Sequence, residues 1–148
     1  MASPSRPRIS PAPRRPAPTK SSRVTGLGGV FFRARDLDTL AEWYRTHLGV
    51  RIEPGGWSVF DWRERNDPDR VGSTVWSLFA KDTTYFGPGE PAFMINYRVD
   101  DLDGLIAELR TEGVDVSDER YEDENGRFAW ITDPEGHRIE LWEPAPGH

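Results

Sequence analysis

The sequence predicts an α+β protein built from two tandem β-α-β-β-β modules, and three observations lead there. The chain repeats itself at a shift of 65 positions. Each copy opens on alternating residues that give way to helical spacing, and Gly- and Pro-rich turn signals punctuate the remainder of each copy.

The repeat is dense where it occurs. Gly29-Val30-Phe31-Phe32-Arg33 lies over Met94-Ile95-Asn96-Tyr97-Arg98, and the match continues through Asp36/Asp101, Leu37/Leu102, Asp38/Asp103, Leu40/Leu105, Arg45/Arg110 and Thr46/Thr111. One residue slips at the helix end, after which Gly49-Val50 matches Gly113-Val114.

In each opening strand one parity is apolar (Val30, Phe32, Ala34; Ile95, Tyr97, Val99) and the other mixed (Gly29, Phe31, Arg33; Met94, Asn96, Arg98), so one face packs and the other is free to line a site. Asp36 and Asp101 then precede helices expected over 37–47 and 102–112, where Leu37, Leu40, Ala41 and Tyr44, and Leu102, Leu105, Ile106 and Leu109, recur every three or four residues. Gly49 and Gly113 suit left-handed helix stops. Further strand-like runs fall near 57–62 and 74–80 in the first copy and near 127–132 and 137–142 in the second. Asn66-Asp67-Pro68 and Asp133-Pro134-Glu135-Gly136 separate them, and a Gly- and Pro-rich connector lies near 83–91.

Composition bounds the rest. At 148 residues the chain holds one domain, and 36% hydrophobic residues with six tryptophans supply a packed core. The absence of cysteine excludes disulfide scaffolds, thiolate metal sites and cysteine nucleophiles, and fits a cytoplasmic location. No apolar run approaches the roughly 18–20 residues of a membrane span. Residues 1–23 hold six of the 19 basic residues, none of the 25 acids and six prolines, which reads as a disordered tail. The domain is therefore expected over 24–148, with module one at 24–88 and module two at 91–144. The body is acidic, and no nucleic-acid partner is expected. Gly26-Leu27-Gly28-Gly29 precedes a strand rather than a helix and so is no phosphate cradle. The acidic run Asp118–Glu124 reads as a solvated loop.

These pieces together resemble the vicinal oxygen chelate superfamily of glyoxalases, extradiol dioxygenases and bleomycin-resistance proteins. They are the paired modules, the helix ending His47-Leu48-Gly49-Val50, the strand leading into Val99-Asp100-Asp101-Leu102, and the closing Asp133-Pro134-Glu135-Gly136-His137-Arg138-Ile139-Glu140-Leu141. The resemblance covers residues 24–144. It implies a curved mixed sheet enclosing a cavity, a homodimer, and in the metalloenzymes a divalent ion held from the opening strand and a late strand of each module.

The positions implied for those ligands are Gly29, Met94, Glu140 and one residue within 74–80, and only Glu140 is a strong donor for a hard ion. No cofactor is therefore expected, with a divalent metal held through Glu140 as the alternative. His47, His137 and His148 fall at a helix end, in a turn and at the last position, and Glu143 lies on the opposite parity from Glu140.

Carrying the alternation into the closing strand places Arg138, Glu140 and Trp142 on the cavity face. The expected ligand-binding set is Phe31, Arg33, Trp76, Met94, Asn96, Arg98, Arg138 and Trp142, with Tyr85, Phe86, Phe128 or Trp130 as further walls. The expected function is metal-independent binding of a small, aromatic molecule. The alternative is an isomerase, lyase or dioxygenase-like enzyme with Glu140 as base or metal ligand. Enclosure without a metal would raise the Glu140 pKa by desolvation, whereas pairing with Arg98 or Arg138 would lower it.

Overall fold

The computed structural model describes residues 23–148; the expected tail lies outside them except for Arg23, which pairs with Glu108 of the second helix and with Glu112 just past its end. In chain order the elements are β1 (Val24–Ala34), α1 (Leu37–Leu48), β2 (Trp57–Arg63), β3 (Val71–Ala80), β4 (Phe93–Val99), α2 (Leu102–Thr111), β5 (Asp115–Asp123), β6 (Gly126–Thr132) and β7 (Arg138–Pro144). The strands form one mixed sheet in the order β2-β3-β1-β4-β7-β6-β5.

The repeat in the sequence is a repeat in space. Each opening strand pairs in parallel with the last strand of its own module, β1 with β3 and β4 with β7, and that strand pairs antiparallel with the one before it. The modules join through antiparallel β1 and β4. Both helices start as their sequences require: Asp36 accepts from the Thr39 N–H at 3.1 Å and Asp101 from the Gly104 N–H at 3.0 Å. Both are followed by a left-handed glycine, with φ of 64° at Gly49 and 80° at Gly113.

The modules differ in one strand. Module two has the three strands expected after its helix, but module one has two, with only an isolated bridge between Glu53 and Trp57 where the third would lie. Pro54-Gly55-Gly56 explains the loss: both glycines adopt positive φ, and the chain reverses after a single pair. Residues 118–124 depart from expectation in the other direction. Most of them lie in β5, an exposed edge strand paired to β6, rather than in a loop.

Three apolar clusters organise the molecule. On the outer face Val99, Leu102, Leu105, Ile106, Leu109, Ala129 and Leu141 seat α2, while Ala34, Ala41, Ile52 and Leu78 seat α1. Phe31, Met94 and Trp130 pack on the inner face beneath Phe86 of the connector. That third cluster fills one part of the concave surface and leaves the remainder open.

Candidate functional site

The open part is a cavity of about 580 Å³ to which six of the seven strands contribute. Its walls are largely apolar, including Phe31, Trp57, Val75, Phe79, Phe128 and Trp142. At its floor Glu140 and Asn96 lie side by side, because parallel pairing of β4 with β7 sets them opposite one another. The turn Asp133–Gly136 joins β6 to β7 and sets β7 against β6, with Trp130 opposite Glu140: the Gly136 N–H donates to the Asp133 carbonyl, and the Asp133 carboxylate accepts from the N–H groups of Glu135 and His137.

Glu140 is 2% exposed. The Asn96 amide donates to its Oε1 at 2.6 Å, the Trp130 indole donates to Oε2 at 3.0 Å, and the Tyr85 hydroxyl also donates to Oε2. Tyr85 reaches it from the connector, where its ring stacks on Phe79 with centroids 5.5 Å apart. Burial raises the Glu140 pKa, and the three hydrogen bonds and the Arg138 charge offset only part of that rise. Burial and the adjacent carboxylate push the Tyr85 hydroxyl far above the ordinary phenol value, so it stays a donor. A carboxylic acid surrounded by donors in an apolar cavity can hold a polar group of a ligand or exchange a proton with it.

The residues expected from the sequence divide between several places. Phe31, Asn96, Glu140 and Trp142 line the cavity. Met94 is on the same face but fully buried in the filled part. Trp76 is on the opposite face, packed on Phe32 and Tyr44 of the α1 side at 5.2 and 5.0 Å; its neighbours Val75 and Ser77 face inward instead. Arg33 fastens the connector, donating to the carbonyls of Lys81, Thr83 and Pro91. Arg138 lies over the Trp130 ring at 5.1 Å, borders a separate hollow beneath the connector and reaches Glu119 rather than Glu140. Arg98 stands at the rim, beside Trp142. Glu143 contributes nothing to this site; it accepts the Leu102 N–H at the start of α2.

The likeness to known proteins follows the same architecture. A glyoxalase-like domain family matches residues 29–142. The chain belongs to that family. Among solved structures it is similar to methylmalonyl-CoA epimerase from Mycobacterium tuberculosis, with 28% identity, a TM-score of 0.57, and coverage of 83% of this chain and 90% of the other. A Streptomyces coelicolor methylmalonyl-CoA epimerase variant in complex with 2-nitronate-propionyl-CoA gives 22% identity and a TM-score of 0.60 over 83% and 99% of the two chains. An extradiol ring-cleaving dioxygenase from B. fuscum shares the fold at 18% identity and a TM-score of 0.54, over 88% of this chain and 36% of that one. No curated protein matches the chain.

The resemblance to the vicinal oxygen chelate superfamily implies four ligand positions, and the register identifies the side chains that stand at them. Asn96 corresponds to Phe31 in the repeat, and Phe31 lies opposite Ser77 as Asn96 lies opposite Glu140. Ser77 is therefore the counterpart of Glu140, and the four positions are Gly29, Ser77, Met94 and Glu140. One carboxylate, a neutral hydroxyl and a thioether do not make the three strong ligands that a hard divalent ion requires. At Gly29 even the space is taken, since a β-carbon there would meet the Phe31 ring at 2.6 Å. Among the described residues no three His, Cys, Asp or Glu side chains gather into a metal-sized group.

Proposed function

We propose that this glyoxalase-like protein binds a small molecule with a planar, apolar body in the sheet cavity, and does so without a divalent metal. The observation that carries the reading is the cavity of about 580 Å³ between the modules: aromatic and aliphatic walls around the buried polar pair Glu140 and Asn96, with Ser73, Ser77, Asn125 and His148 completing the lining. Such a lining recovers apolar surface over most of a ligand and fixes its orientation at one point.

The second reading is an enzyme of the same superfamily, and the raised pKa of Glu140 favours it, because the group then accepts a proton closer to neutrality. Epimerisation, the activity named for the structural relative at 28% identity, removes a proton from one face of a carbon and returns one to the other. Such a reaction needs a group on each face. Glu140 is the one side-chain carboxylate among the described residues lining the cavity, and both of its oxygens are engaged by protein donors. Binding therefore requires fewer rearrangements than turnover.

Titration of aromatic fragments, followed by tryptophan fluorescence in the presence of EDTA, separates the readings. Binding that EDTA leaves intact and that the cavity-filling substitution Ser77→Trp abolishes is the expected result. Binding that appears only on adding a divalent metal would overturn it. Conversion of a bound fragment that stops in Glu140→Gln while binding persists would establish the enzyme.

A further inference from the structure

The acceptor end of the Asn96 side chain has no partner among the described residues. The residue is 2% exposed; its Nδ2 donates to Glu140, but Oδ1 is buried and receives no hydrogen bond. Leaving a buried amide oxygen without a donor costs free energy, and folded proteins leave few such groups unmet. Turning the amide over would set Oδ1 against the ionised Glu140 carboxylate and lose the bond already made.

The unmet acceptor lies on the cavity wall. Strand β1 bulges at Gly28, the extra residue between Leu27, which pairs with Tyr97, and Gly29, which pairs with Asn96. A β-carbon at Gly28 would come within 2.0 Å of Oδ1, so any side chain there would collide with that oxygen. Gly28, Asn96 and Glu140 all line the cavity. Oδ1 therefore occupies a notch in the wall beside the carboxylate.

The same pair is short of positive charge. Glu140 Oε1 accepts the Asn96 bond, and a carboxylate oxygen has capacity for a second donor. The arginines on this face are committed elsewhere. Arg138 reaches Glu119 and lies over the Trp130 ring. Arg98 donates to the backbone oxygens of Ser73 and His148 from between the Trp62 and Trp142 indoles. The three groups that donate to Glu140 are a phenol, an amide and an indole, all neutral.

From this arrangement we infer that the cavity takes a ligand whose apolar body ends in a protonated primary amine. One ammonium N–H donates to Asn96 Oδ1 and another to Glu140 Oε1, on side chains already joined at 2.6 Å, and the positive charge answers the buried carboxylate. The inference rests on the binding function proposed above and names the ligand class for the same cavity. Aromatic walls accept a cation at their faces, and the net charge of −6 favours its approach. A ligand carboxylate or phosphate would meet two acceptors at this point and no free donor, which disfavours it.

The test uses three probes that share a phenethyl body, at neutral pH. Phenethylamine carries both charge and donors, 2-phenylethanol donates one hydrogen bond without charge, and phenethyltrimethylammonium carries the charge without a donor. Each is titrated by heteronuclear NMR into the wild-type protein and into Asn96→Leu. In wild type the amine should bind about tenfold tighter than either other probe. In Asn96→Leu its advantage over the trimethylammonium probe should fall to about threefold, because Glu140 remains. The wild-type comparison decides the matter even if the variant fails to fold. A comparison probe that matches the amine in wild type, or an undiminished advantage in folded Asn96→Leu, overturns the inference and leaves the cavity reading intact. Failure of all three probes to bind wild type overturns the two together.

Discussion

The two modules share a backbone plan but not a workload. Helix α2 buries Leu102, Leu105, Ile106 and Leu109, whereas α1 buries only Ala41 and leaves Trp43 and Leu48 exposed. On the inner face the contrast is chemical: β7 carries Glu140 where β3 carries Ser77. Module two therefore supplies most of the outer core and the polar floor of the cavity, while module one supplies wall. Duplication gives two copies of one scaffold, and side-chain choice at matched positions then separates support from recognition.

That contrast can be broken most forcefully in the helices. Leu105→Ala should cost about 3 kcal/mol of unfolding free energy, and its counterpart Leu40→Ala, which is only half-buried, about 1 kcal/mol. Chemical denaturation of the two variants compares them directly, and equal losses would mean that the helices carry equal load.

The next effect is at the floor of the cavity. Glu140→Leu strands the Tyr85, Asn96 and Trp130 donors and should cost about 2 kcal/mol, whereas Ser77→Ala should change stability by no more than about 0.5 kcal/mol. The two sites also differ in pH dependence. Because folding raises the Glu140 pKa above its ordinary 4.5, the native state binds the proton more tightly. This contribution to stability is complete below the unfolded value and is lost as pH rises through the folded one. The gap between wild type and Glu140→Leu should therefore be wider at pH 4 than at pH 8, and a gap independent of pH would show that the acid does not titrate as its burial requires.

The smallest effect should be symmetric. Asp36→Ala and Asp101→Ala each remove one N-cap hydrogen bond and should each cost about 1 kcal/mol. Unequal losses would place the difference between the modules in the backbone plan itself rather than in what is mounted on it.

The sequence was legible where one physical signal dominated. Alternation in β1, β4 and β7 assigned Phe31, Asn96, Glu140 and Trp142 to the inner face, and the Asp caps and trailing glycines bounded both helices to within a residue. It failed where a signal was missing or doubled. Strand β3 is apolar on both faces, with Val75 and Phe79 toward the cavity and Trp76 and Leu78 toward α1, so no period of two revealed that Trp76 points outward. Strand β5 is exposed along most of its length and rich in charge, so it carried no hydrophobic alternation. The hydrogen bond from Tyr85 to Glu140 joins residues 55 apart in sequence through an irregular connector, and no local pattern encodes it. Arg33 and Arg98 have the parity of lining residues, but what they bind was decided by backbone oxygens that only the folded chain brings near.

The ring of Phe31 over Gly29 makes the two positions depend on one another. Installing an imidazole at Gly29 would drive a new β-carbon into that ring and to 3.1 Å from the Val75 carbonyl, so it fits only if Phe31 is cut down. Phe31, in turn, is wedged among Phe86, Met94 and Trp130 and cannot shrink without opening a void. The two positions are therefore coupled: a side chain at Gly29 requires a smaller Phe31, and a smaller Phe31 leaves a gap beneath the connector.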